Sequence, residues 1–158
     1  MAKKQKFKYT GALVLGMHDA MVSLIGVIVG LTFALADNSL IILTGIIASV
    51  SAGLSMGAAN YLAEKADGNR HPLIAGLCTV TAYLITSALL LIPFAVCQNA
   101  FWALGLTATI AVLIIFAFNF CIARIKGKSF TKPFFEMLSI CTTVSIVSFL
   151  IGMLAHNY

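Results

Sequence analysis

The sequence predicts an all-α, polytopic membrane protein with five transmembrane helices per protomer, in a single transmembrane domain over residues 1–158. Three observations carry that expectation. Hydrophobic residues make up 61% of the chain and charged ones only 9%, whereas a soluble domain carries about a quarter of its residues as Asp, Glu, Lys or Arg. The apolar residues fall in long continuous runs, which is not the period-two pattern of barrel strands. All ten Lys and Arg lie outside those runs, on every second connection. So few charges cannot cover a water-soluble monomer, and disordered chains are poor in apolar residues. Both classes are excluded.

A helix needs about 20 apolar residues to cross the hydrocarbon, within a range of roughly 17–25. The runs that qualify are 11–36, 40–63, 72–96, 101–123 and 133–156. The first is too long for a signal peptide and is followed by further spans. The second follows Asp37-Asn38-Ser39, where Ser39 is placed to accept from free first-turn N–H groups. The third opens on Pro72, which suits a first-turn position that needs no donor. Cys97-Gln98-Asn99 separates the third from the fourth, and the basic stretch from Arg124 to Lys132 separates the fourth from the fifth. None of these connections is long enough to hold a soluble domain. Cys78, Cys97, Cys121 and Cys141 have neither metal-ligand nor redox spacing and read as small buried hydrophobes.

Topology follows from the basic residues. Lys3, Lys4, Lys6 and Lys8 precede the first span, Lys65 and Arg70 follow the second, and Arg124, Lys126, Lys128 and Lys132 follow the fourth. Cytoplasmic loops are the ones enriched in Lys and Arg. The expectation is a cytoplasmic N-terminus and a C-terminus outside. The net charge of +5 then reports topology and attraction to anionic lipid, not a nucleic-acid surface.

An ionisable group inside a span is expensive and marks a functional hypothesis. Asp19 stands about eight residues, or roughly 12 Å, into the first span. Ala12, Gly16, Asp19, Ser23, Gly26 and Gly30 follow one another at steps of four and three, forming one seam of small residues around a carboxylate. Such seams let helices approach closely. The seam is either a packing face whose Asp bonds a neighbour, or a cation or proton site at a helix interface.

In the second span Gly45, Ser49, Ala52 and Met56 follow the same steps, and Asn60 and Glu64 extend that face. A thioether beside an amide oxygen and a carboxylate suits a borderline first-row ion better than Mg²⁺ or Ca²⁺. Packing is the usual explanation of a Met in a membrane helix, and a solvated charge run is the commoner explanation of Glu64 among Glu64-Lys65-Ala66-Asp67. Glu136, read as a first-turn residue of the fifth span with Lys132 four residues back, is accounted for either by the helix dipole or by a metal role. Asn119 reads as interhelical glue. His18 lies about 100° around the helix from Asp19, and Met17 and Met21 read as packing or soft lining. No catalytic constellation is present, so the chain is not expected to be an enzyme.

At these residues the sequence resembles the vacuolar iron transporter family. The likeness is carried by Gly16-Met17-His18-Asp19-Ala20-Met21-Val22-Ser23 running into Gly26-Val27-Ile28-Val29-Gly30-Leu31, by Leu54-Ser55-Met56-Gly57-Ala58-Ala59-Asn60-Tyr61-Leu62, and by Phe134-Phe135-Glu136-Met137. The resemblance implies a homodimer whose first helices line a central cation pathway. Asp19 and Met56 would be transport ligands, with Asn60, Glu64 and Glu136 as further metal candidates. It implies export of Fe²⁺ or Mn²⁺ from the cytosol in exchange for protons, with the ion as cargo and no resident cofactor. Partners would be a second copy through the first helix, membrane lipids and divalent ions, with no nucleic acid. Many relatives carry Glu at the position of Asn60, and full-length relatives hold a cytosolic metal-binding domain where this chain has only Glu64 to His71. A short family member follows, in a prokaryotic inner membrane or, in a eukaryote, a vacuolar-type one. The alternative is a membrane-embedded assembly subunit whose seam binds a partner helix.

Overall fold

The computed structural model describes residues 9–127 and 129–156. Lys3, Lys4, Lys6, Lys8 and Lys128, on which part of the expected topology rests, lie outside the described residues, as do Asn157 and Tyr158. The chain forms α1 (Thr10–Ala34), α2 (Asn38–Ala66), α3 (Pro72–Val96), α4 (Ala100–Lys126) and α5 (Thr131–His156). All five are long and apolar enough to cross a membrane, and the described residues contain no strand.

The helix ends show which local signals acted. Asp37, not Ser39, caps α2: its carboxylate accepts from the N–H groups of Ser39 at 2.8 Å and Leu40 at 3.1 Å. Asp37 stands in extended backbone, the conformation an N-cap requires, and so places the cap two residues earlier than expected. Asn99 caps α4 in the same way through Phe101 and Trp102. Pro72 does sit in the first turn of α3. α5 begins at Thr131, before Pro133, so Glu136 falls in its second turn. The dipole effect fades within the first turn and so accounts for Glu136 less well than its expected first-turn position did.

α1 is the most buried of the five helices and touches each of the others. α2 and α3 form the most extensive pair, α1 packs strongly on α3 and α5, and α4 leans mainly on α3. The closest approaches use glycine. A Cβ on Gly76 would lie 2.7 Å from the Gly57 carbonyl oxygen, so α2 and α3 meet backbone to backbone. A Cβ on Gly152 of α5 would run into the Gly30 carbonyl oxygen of α1. Met17, Met21, Leu24 and Ile28 fill the space between, with Leu90 and Phe94 of α3 and Ile115 of α4. Both methionines are therefore packing residues.

The seams differ from the sequence pattern in one respect each. The glycines of the α1 seam pack within the chain, Gly16 on α3 and Gly26 and Gly30 on α5. On α2 the buried line runs Ile41, Gly45, Ser49, Gly53 and Gly57. Ala52 and Met56 flank that line and are half-buried. Glycine, having no side chain, lets α3 approach closest along its own stripe.

Candidate functional site

The starts of α1 and α3 and the end of α2 meet at one end of the bundle, the end that carries the basic connections. Close backbone contact makes the polar chemistry there possible. A Cβ on Gly16 would collide with the carbonyl oxygen of Thr79. With α1 that near, the hydroxyl of Thr79, whose residue is 0% exposed, lies 3.2 Å from the Ala12 carbonyl and 3.1 Å from that of Ala75. It also accepts from the side-chain amide of Asn60 at 2.8 Å. One buried hydroxyl thus joins three helices. Asn60 uses its nitrogen for this bond and for one of 3.4 Å to the Ala75 carbonyl, which leaves its carbonyl oxygen as the ligand-type atom.

A second polar layer lies deeper along α1. Ser23 Oγ donates to the Asp19 carbonyl at 2.7 Å and, with its proton engaged there, accepts from the Tyr83 hydroxyl at 2.6 Å. Tyr83 is 1% exposed, and its ring lies against α2 at Gly53, where a Cβ would be 3.2 Å from the ring. Burying a tyrosine is affordable only with its hydroxyl paired. Ser23 provides that pairing.

Asp19 lies between the two layers on α1 and is half-buried. Among the described residues its carboxylate meets neither a hydrogen-bond donor nor a basic side chain. Met56 is half-buried on the flank of α2. Glu64 closes the end of α2 by accepting from the Asn69 side chain, while its backbone carbonyl takes the Asn69 N–H at 2.9 Å. Glu136 is exposed on α5. Among the described residues, no three His, Cys, Asp or Glu side chains gather into a group able to hold a metal. Asp19, Glu64 and Glu136 therefore form no such group among the described residues.

His18 and Asn119 face a different space. With Ser129 and Pro133 they help line a cavity of about 250 Å³ between α1, α4 and the start of α5. The His18 Nε2 is buried without a partner among the described residues, and its ring stands edge-on to Phe118 at 6.1 Å. Asn119 donates to the Ile115 carbonyl of its own helix at 2.9 Å. Its donated bond therefore does not join two helices as expected.

Beyond Ser23, α1 forms the floor of an open apolar groove of about 530 Å³, with Thr44 of α2 on one side and Val144 and Ser148 of α5 on the other. Thr79 and Tyr83, the two hubs, were not singled out from the sequence. The available signal was the spacing of Thr79, Tyr83 and Thr86, which puts three buried polar groups on one face of an apolar helix.

Five membrane-length helices enclosing polar layers, with Asp19 well inside the first, define a multi-pass membrane protein. Residues 10–69 match the model of the VIT family. The match makes this part of the chain, less than half of its length, similar to that family. It spans α1 and α2, and so includes Asp19, Met56, Asn60 and Glu64 but not Glu136. No curated protein matches the chain.

Proposed function

We propose that the chain exports divalent iron or manganese from the cytosol, in exchange for protons, as a homodimer in the inner (plasma) membrane, or in a vacuolar-type membrane if the source is eukaryotic. The observation that carries this reading is Asp19, a half-buried carboxylate with no cationic partner among the described residues, in the segment that matches the VIT family. A carboxylate held inside a span without a counter-ion is costly unless a mobile cation serves it.

A second copy supplies what one protomer lacks. If α1 meets its twin along the groove that begins at Ser23, two Asp19 carboxylates and two Met56 thioethers come near one axis. Such carboxylates repel, and a dication or a proton relieves the repulsion. Metal and protons then compete for one site, which is the minimum an exchanger needs. Oxygen ligands with a thioether favour a borderline first-row ion. Asn60 offers its carbonyl oxygen on the way in, Glu64 stands at the basic end, and Glu136 is a secondary candidate there.

The test is Mn²⁺ and Fe²⁺ flux into proteoliposomes under opposed proton gradients. Flux should follow the proton gradient, and Asp19→Ala should abolish it; undiminished transport by that variant would sink the site. The groove also fits a second reading, an assembly subunit that seats a partner's helix. In that case metal should leave the melting temperature of the purified protein unchanged.

A further inference from the structure

Where α4 passes into α5, Gly127 takes φ +62°, and the chain doubles back over a cavity of about 420 Å³ lined in part by Phe120, Arg124, Ser129, Phe130 and Thr131. The Arg124 guanidinium stands 5.3 Å above the Phe120 ring. Phe130 meets that ring at 6.3 Å, and Phe116 braces both, at 6.1 Å from Phe120 and 5.7 Å from Phe130. The hydroxyls of Ser129 and Thr131, which both line the cavity, lie 2.9 Å apart. Thr131 begins α5, so the backbone N–H groups of Thr131 and Lys132 stand at the positive end of the helix, Pro133 having none.

The charge balance is one-sided. Arg124 is exposed and, among the described residues, pairs with no carboxylate. The sequence has no Asp or Glu between Asp67 and Glu136, while Lys126, Lys128 and Lys132 share this stretch. Glu136, in the second turn of α5, is the nearest acid in the sequence. Phe120, which lines the cavity, and Phe116, packed on it, are exposed on the surface of α4. A cation and two hydroxyls recognise a phosphate ester. Adjoining phenyl rings at the edge of a membrane span suit the acyl chains attached to it.

We propose that this cavity binds the phosphate headgroup of an anionic phospholipid, with Arg124 holding the phosphate and the Phe116–Phe120–Phe130 rings receiving the first methylenes. Basic pockets at the ends of membrane helices are suited to such headgroups. Free phosphate shares the headgroup chemistry but has no use for the rings, which is why the lipid is favoured.

Native mass spectrometry of the detergent-purified full chain, titrated with phosphatidylglycerol and with phosphatidylcholine, tests this. The native protein should retain phosphatidylglycerol preferentially. Arg124→Gln should lower its occupancy about fivefold, the effect of one charge near the surface, and Arg124→Lys should recover most of it. Arg70→Gln, which removes one charge from the other basic connection, should leave occupancy unchanged. Excess inorganic phosphate should leave the lipid bound. The proposal is overturned by equal retention of phosphatidylcholine, by native occupancy in Arg124→Gln, by an equal loss in Arg70→Gln, or by displacement of the lipid by phosphate.

Discussion

The two halves of α1 hold the bundle together by different means. From Ala12 to Ser23 the helix is tied to α3 by polar bonds, with the Thr79 hydroxyl at one level and the Tyr83–Ser23 pair at the next. From Gly26 to Thr32 it makes no such cross-helix bond among the described residues, and it is held to α5 by close approach at Gly30 and Gly152. Thr32 bonds back to Ile28 of its own helix at 2.7 Å. The polar half contains Asp19, and the apolar half forms the floor of the groove. In lipid there is little hydrophobic drive between helices, so packing and polar bonds must supply the association. Here the helix uses one of these where it carries a charge and the other where it offers a contact surface.

That contrast can be broken at either end. The largest effect is expected in the apolar half. Gly152→Leu drives a side chain into the Gly30 backbone, where no flexible group can yield, and should destabilise the protein by about 3 kcal/mol, read as a lower unfolding midpoint in mixed micelles. Thr79→Val, nearly isosteric, removes the hub of the polar half and leaves the Asn60 amide short of an acceptor. It should cost about 1 kcal/mol in the same assay, within the range for interhelical bonds in membranes. Tyr83→Phe should cost less, about 0.6 kcal/mol, since Ser23 keeps its bond to Asp19. If Thr79→Val exceeded Gly152→Leu, the division of labour along α1 would be wrong. Met56→Leu preserves volume and should scarcely move the midpoint, while lowering transport of Fe²⁺ more than that of Mn²⁺, because only the thioether is lost.

Much of this architecture was legible beforehand. The spans stand out because each is a long run between charged or Asn-rich breaks, and Pro72 opens α3 where its missing donor does no harm. Asp19 stood out because charge is scarce. What could not be read were choices made between helices. Nothing in the α1 seam says that Gly16 packs on α3 and Gly30 on α5, since a glycine accepts any close neighbour. The buried line of α2 passed through Gly53 and Gly57 instead of Met56, because the partner's backbone follows the smallest residues. Thr79 and Tyr83 were missed because a single hydroxyl in an apolar span gives no charge signal. Asp37 displaced Ser39 as a cap on backbone conformation, which composition does not reveal.

The central claim is that the Asp19 carboxylate of the polar half serves a mobile divalent cation. Asp19→Asn tests it most directly, because the shape is kept and only the charge goes. Mn²⁺ uptake into proteoliposomes should fall to the level of empty vesicles, with the unfolding midpoint unchanged. Uptake at the native rate by that variant would contradict the account.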